Sequence, residues 1–264
     1  MRRFLHLLPI AVLSALPAAA APLGHGPFEP GHEPGQVRLR DCQQPTRQGK
    51  PVFEEAGGVR STSFTLPGSP GAPAVRVRSH KAAGAADKAE WDVFMVDAAG
   101  ARLSGVETSG MPSEFFSVLS ADLNGDGKPD YILQHESGGC GLAAAISTLV
   151  FFVSEGDRYA GRTMDTFSFG PEDIVRLKKD GPCYFIQSDL RDNGREKTKD
   201  GRDHSFWVYE LHRFDRNGMA KANADDARFP KWVWYTRKDG HRETDQLTAA
   251  QKKRLMAAGD DLPG

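Results

Sequence analysis

Oxygen-bearing side chains stand at every second position in Asp122-Leu123-Asn124-Gly125-Asp126-Gly127-Lys128-Pro129-Asp130. Asp122, Asn124 and Asp126 alternate, Gly127 follows, and Asp130 comes three residues later. A hard cation such as calcium takes about six to eight oxygen ligands in a flexible shell. A short loop supplies them when alternate side chains turn inward and the backbone bends sharply. Gly127 permits the bend, because glycine takes positive φ without a Cβ clash. The backbone carbonyl of Lys128 then falls where a fourth ligand comes from, with its cationic side chain pointing outward. The expected calcium ligands are therefore Asp122, Asn124, Asp126, the Lys128 carbonyl and Asp130, at one site with a structural role. The competing reading is a plain turn, since Asp, Asn and Gly are all turn formers. Three carboxylates packed this closely repel one another without a cation, which favours calcium.

An EF-hand needs a bidentate glutamate at the twelfth loop position and a helix after it. Counting from Asp122, the twelfth residue is Leu133, and the sequence enters an apolar run instead. Phe115 to Leu119 before the loop and Tyr131 to His135 after it read as strands, so the loop joins two strands. The pattern resembles the calcium loop of FG-GAP and VCBS-type repeats, Asp-x-Asp/Asn-x-Asp-Gly-x-x-Asp running into an apolar strand. Asp122, Asn124, Asp126 and Asp130 match it, and Tyr131-Ile132-Leu133 matches the strand. The resemblance implies a blade of the kind found in β-propellers of extracellular adhesion and binding modules. A closed propeller repeats its blade at regular spacing, and this sequence has no second copy of the loop. The expected fold is mainly β, antiparallel, with blade-like sheets and one C-terminal helix, and not a complete β-propeller.

Other reactive groupings carry less. His135, Glu136 and Cys140 are close in sequence and would suit a thiol nucleophile with a base. A cysteine among glycines in an exported chain is the more ordinary disulfide partner. Glu136 and Asp130 would suit glycoside chemistry, but Asp130 already belongs to the metal loop. No Gly-x-Ser-x-Gly elbow, phosphate loop or His-Glu-x-x-His pattern occurs. Phe229, Trp232, Trp234 and Tyr235 would line a carbohydrate or peptide surface, or half of them would pack into a core, since alternate strand residues face opposite sides. Two functional classes follow. One is a non-enzymatic calcium-binding protein, a binding or envelope-associated module with a protein, peptide or carbohydrate ligand. The other is a secreted hydrolase whose active site has no recognisable signature.

The chain opens Met1-Arg2-Arg3, an apolar run from Phe4 to Leu16, then Pro17 and four alanines. A basic end, a short apolar core and small residues mark a secretory signal peptide. It is expected to span residues 1–20, with cleavage after Ala20 and a periplasmic or secreted product. The run is too short to cross a bilayer, and no other long apolar stretch exists. The chain has 34 basic and 35 acidic residues, so it lacks the excess of positive charge that nucleic-acid binding calls for. Of the three cysteines, Cys140 and Cys183 flank expected strands, so the preferred disulfide is Cys140–Cys183 with Cys42 free; spacing alone leaves the pairing open.

The elements that position the loop follow from period-two alternation and turn residues. Residues 21–36 are rich in Gly, Pro and His and read as a flexible lead-in, with His25 and His32 as ordinary linker residues. The β-rich domain is expected over 37–264. Gln36 to Arg40, Ser61 to Leu66 and Ala74 to Ser79 read as strands. Lys81 to Lys88 reads equally as a short helix or a loop. Glu90 to Val96 and Arg102 to Glu107 read as a hairpin. The unbroken apolar run Ile146 to Val153 predicts a central strand buried on both faces. Glu155-Gly156-Asp157 turns it into Arg158. Ile174 to Leu177 and Cys183 to Gln187 form a hairpin around Lys178 to Gly181, and Asp189 to Asp203 reads as a solvated loop. Ser205 to Phe214, with Trp207, Tyr209 and Leu211 on one face, and Lys231 to Thr236 are further strands, with Asn217-Gly218 as a turn. Thr248 and Gln251 form a capping box that starts a helix at 248–258.

Overall fold

The computed structural model describes residues 27–28, 33–39, 52–56, 59–66, 73–81, 89–108, 116–136, 145–192, 205–235 and 248–258. They form three antiparallel sheets, with no closed barrel or propeller among them. In the first, β2 (Val52–Ala56), β3 (Val59–Thr65), β4 (Ala74–Lys81), β5 (Ala89–Val96) and β6 (Arg102–Thr108) run in simple succession. The middle sheet holds β7 (Phe116–Ala121), β8 (Asp130–Glu136), β9 (Ile146–Glu155) and β10 (Arg158–Phe167), again in succession. The third joins β1 (Gly35–Gln36), β11 (Ile174–Arg176), β12 (Cys183–Asp192), β13 (Ser205–Asp215) and β14 (Gly218–Lys221), with β15 (Lys231–Tyr235) also on β13.

The apolar run in β9 explains why these sheets stack. Its alternate residues serve two different cores. Leu149, Phe151 and Val153 pack with Ile174, Phe185 and Phe214 of the third sheet. Val150 and Phe152 pack with Val75, Val93 and Met95 of the first. The middle sheet is therefore buried on both faces, as the run predicted, although in an antiparallel sheet. Gly161 of β10 lies so close to β6 that a Cβ there would stand 2.6 Å from Val106 Cγ1. The outer face of the third sheet carries its own core, in which Tyr209 and Leu211 pack with Tyr184, Ile186 and Phe229, and Trp207 and Phe28 close its margin.

The expected hairpins form. Asp97 closes the β5–β6 turn by accepting from Ala101 N at 2.8 Å, with Gly100 at φ +86°. The Thr248–Gln251 capping box is present, the Thr248 hydroxyl accepting from Gln251 N at 3.2 Å and Gln251 Oε1 from Thr248 N at 2.8 Å. Helix α1 spans Ala249–Ala258. Three features differ from the sequence reading. Strand β2 and most of β10 carried too little apolar alternation to stand out. Asp189 to Asp192 extend β12 rather than opening a loop, because they pair with Ser205 to Val208. The strand expected over Gln36 to Arg40 is instead the short Gly35–Gln36 within the lead-in, which pairs with Arg176 and Val175, while residues 37–39 are not in a strand.

The Cys140–Cys183 bridge is not found. Cys183 is a buried free thiol in the core that also holds Leu123 and Phe185. Burial raises its pKa, against the opposing pull of Arg176, so this side chain acts as a small apolar packing group. Cys42, Cys140, His25, His32, the signal segment and residues 82–88 lie outside the described residues. Among the described residues no helix is long and apolar enough to cross a membrane.

One buried titratable group sets an acid limit. His212 is 3% exposed, and its Nε2 lies 2.9 Å from Gln187 Oε1. Gln187 uses its amide nitrogen on the Asp165 carbonyl, so its oxygen is the acceptor and His212 carries its proton on Nε2. Its Nδ1 has no partner among the described residues. Burial, aided by the charges of Arg162 and Lys221, lowers the pKa to about 4. A lowered histidine pKa gives stability that is complete above the unfolded value of about 6.5 and is lost as pH falls from there through 4. The loss amounts to at most about 3 kcal/mol at one proton and about 1.4 kcal/mol per pH unit. Urea midpoints measured from pH 7 to pH 4 should fall, and His212→Gln should flatten that part of the profile; an unchanged profile in the variant would assign the acid loss to other groups.

Candidate metal centre

Strands β7 and β8 pair with Ala121 opposite Asp130, leaving residues 122–129 as the connecting loop. The alternation read from the sequence places its side chains inward. Asp122 Oδ1 accepts from Gly125 N at 2.8 Å and Asp126 N at 3.0 Å, and its Oδ2 accepts from Gly127 N at 2.9 Å. Asn124 Oδ1 accepts from Asp126 N at 3.1 Å, and Asp126 Oδ1 accepts from Lys128 N at 2.8 Å. Gly125 and Gly127 sit at φ +77° and +85°, where a side chain would be strained. The Lys128 ammonium reaches across to the Gly156 carbonyl in the β9–β10 turn.

A residue the sequence reading missed ties this loop down. Ser154, on β9 and 1% exposed, donates its hydroxyl to Asp126 Oδ2 at 2.8 Å. Its carbonyl accepts from Asn124 Nδ2 at 2.8 Å, and its N–H donates to Asp130 Oδ1 at 2.7 Å. It stands some thirty positions along the chain from the loop, so no local pattern could reveal it.

Asp130 differs from the other expected ligands. It is fully buried, and its other oxygen accepts from Leu123 N at 2.6 Å and Asn124 N at 3.2 Å. Burial raises its pKa and prevails over the pull of these N–H groups. At exposed Asp126 the balance reverses. Burial is the largest single influence and pushes it up, but the hydrogen bonds from Lys128 N–H, Ser154 and Asn124 and the Lys128 charge together outweigh it, so its carboxyl stays below the ordinary value.

A carboxylate offers about four acceptor sites and an amide oxygen about two. The bonds above leave about two sites on Asp126 and about one each on Asn124 Oδ1, Asp122 and Asp130, since Asp122 and Asp130 each accept from three amides. Asp130 is set apart by its burial, and its bonds also pin the loop's first turn to β9. Among the described residues, no three His, Cys, Asp or Glu side chains stand together as a ready metal-holding group. A cation would have to draw the carboxylates of Asp122 and Asp126 toward each other over a backbone already folded into the required bend. Of the acid–base pair Asp130 and Glu136, the first is committed to these amides.

Comparison with family models, with curated proteins and with solved structures returns no match to this chain.

Proposed function

We propose that this is an exported, non-enzymatic calcium-binding protein in which the 122–130 loop takes one calcium ion through Asp122, Asn124, Asp126, the Lys128 carbonyl and Asp130. The reading rests on one observation: an oxygen-rich loop, bent at two positive-φ glycines, that keeps acceptor capacity and is anchored to the central strand by Ser154. The resemblance to FG-GAP and VCBS-type loops supports it. The ion stiffens the β7–β8 connection and the β9–β10 turn that Lys128 touches. The protein works in the periplasm or outside the cell as a binding module for a protein, peptide or carbohydrate.

Without a twelfth-position glutamate the site is weak, with a dissociation constant of about 10⁻⁴ to 10⁻³ M, the range of extracellular modules. At a hundredfold excess of calcium, linkage gives about 2.7 kcal/mol of stabilisation. Melting curves in calcium and in chelator test this. Calcium should raise the melting temperature, Asp126→Ala should abolish the rise while leaving a folded chain, and magnesium should substitute poorly because it demands a tight octahedral shell. Superimposable curves in calcium and chelator, with no calcium retained at equilibrium dialysis, would return the loop to an ordinary turn.

A further inference from the structure

Phe28, in the N-terminal segment, packs against the outer face of the third sheet. The Phe28 ring meets Phe229 edge-on, with centroids 6.0 Å apart. The Arg228 guanidinium lies over the same ring at 4.7 Å. That guanidinium is held in place beforehand: Asp226 accepts from its Nε at 3.0 Å and from its Nη2 at 2.7 Å. A planar fork fixed by a carboxylate presents its flat face as a platform for an aromatic ring. Lys231 Nζ donates to the Pro27 carbonyl at 2.6 Å, which fixes the backbone just before the ring. Phe229 is buried and lies beneath the Phe28 ring.

We infer that this surface is a binding site for peptides carrying an exposed aromatic residue, and that Phe28 fills it in cis. Each contact matches one part of such a ligand. The lysine holds the backbone carbonyl of the residue before the ring, a contact that fixes the ring's position and that any residue there can supply. The arginine and Phe229 read the ring through cation–π and edge-to-face contacts. The segment is tethered a short way along at β1, so its effective concentration is high, and a competing peptide gains the site when the tether yields. This names a ligand class for the binding module proposed above but uses none of the calcium-loop residues. It is measured in chelator, so its failure and that of the calcium reading are separable.

The test uses the full chain carrying Phe28→Ala and the blocked peptide His-Gly-Pro-Phe-Glu-Pro, with a second peptide bearing alanine in place of the phenylalanine. Calorimetry should show the variant binding the phenylalanine peptide at least roughly tenfold more tightly than the alanine peptide, the preference expected from one cation–π and one edge contact. The wild-type chain should bind it more weakly than the variant, and adding Arg228→Ala to the variant should erase the preference. A folded variant that binds both peptides equally, or a preference that survives Arg228→Ala, overturns the inference. If Phe28→Ala does not fold, limited proteolysis of the wild type decides. Millimolar phenylalanine peptide should speed cleavage near residue 28 and the alanine peptide should not; equal rates with both would overturn it.

Discussion

Asp130→Ala is expected to cost about 3–5 kcal/mol of stability even with calcium chelated, through loss of a buried acceptor for three backbone donors. The carboxylate holds Leu123 N, Asn124 N and Ser154 N at 2.6, 3.2 and 2.7 Å. Its residue is fully buried, so water cannot replace it without opening the loop. Each orphaned donor costs about 1–3 kcal/mol, and relaxation offsets part of the sum. For a chain of this size such a loss lowers the melting temperature by about 10 °C, at about 2–4 °C per kcal/mol. Asp126→Ala is the internal control. Its residue is exposed and so is its partner Lys128, while the Ser154 hydroxyl it leaves behind is buried, so in chelator it should cost about 1–2 kcal/mol, less than Asp130→Ala. The two aspartates look alike in the sequence, yet one pins the fold and the other remains open to a ligand. Equal stability of Asp130→Ala and wild type in chelator would remove the buried pin.

Much of the architecture was legible because it rests on local signals. The Ile146–Val153 run could satisfy its side chains only by facing two cores, and it does. Gly100, Gly156 and Gly218 each mark a turn at positive φ, and the Thr248–Gln251 box caps its helix through bonds spanning three residues. The loop was legible for the same reason: Asp122 bonds only to amides three to five positions ahead. Long-range choices were not legible. Ser154 is one serine among many until β8 and β9 pair and bring it under Asn124. Asp189 to Asp192 look like solvated loop until β13 offers them a ladder. Cys183 was read as a disulfide partner because export suggests pairing, but its neighbours in space are core side chains. Nothing in the polar lead-in announced that Phe28 has a seat, since Arg228 and Phe229 lie some two hundred positions away and their arrangement depends on Asp226.

The deepest single loss in the core is expected at Phe151→Ala, about 3–5 kcal/mol by the measure of other buried phenylalanine truncations. Phe151 is fully buried and joins two sheets through its ring, 5.1 Å from Phe185 and 5.6 Å from Phe214. These three rings lie at the contact where the middle sheet meets the third. Hydrogen bonds from Arg162 to Met219, between Thr166 and Ser188 and from Gln187 to Asp165 also cross between the two sheets. A cavity here is walled on both sides by hydrogen-bonded sheets that resist collapse, which puts the cost toward the upper part of that range. Phe151→Leu refills most of the volume and should lose less than half as much. Urea titration should show the alanine midpoint falling with the slope unchanged, as for a cooperative loss of packing. The rise in melting temperature proposed for calcium should persist in the surviving fold, because Ser154 anchors the loop through its own backbone and hydroxyl. A Phe151→Ala variant as stable as Phe151→Leu would show that the interface between these sheets is held by something other than this ring cluster.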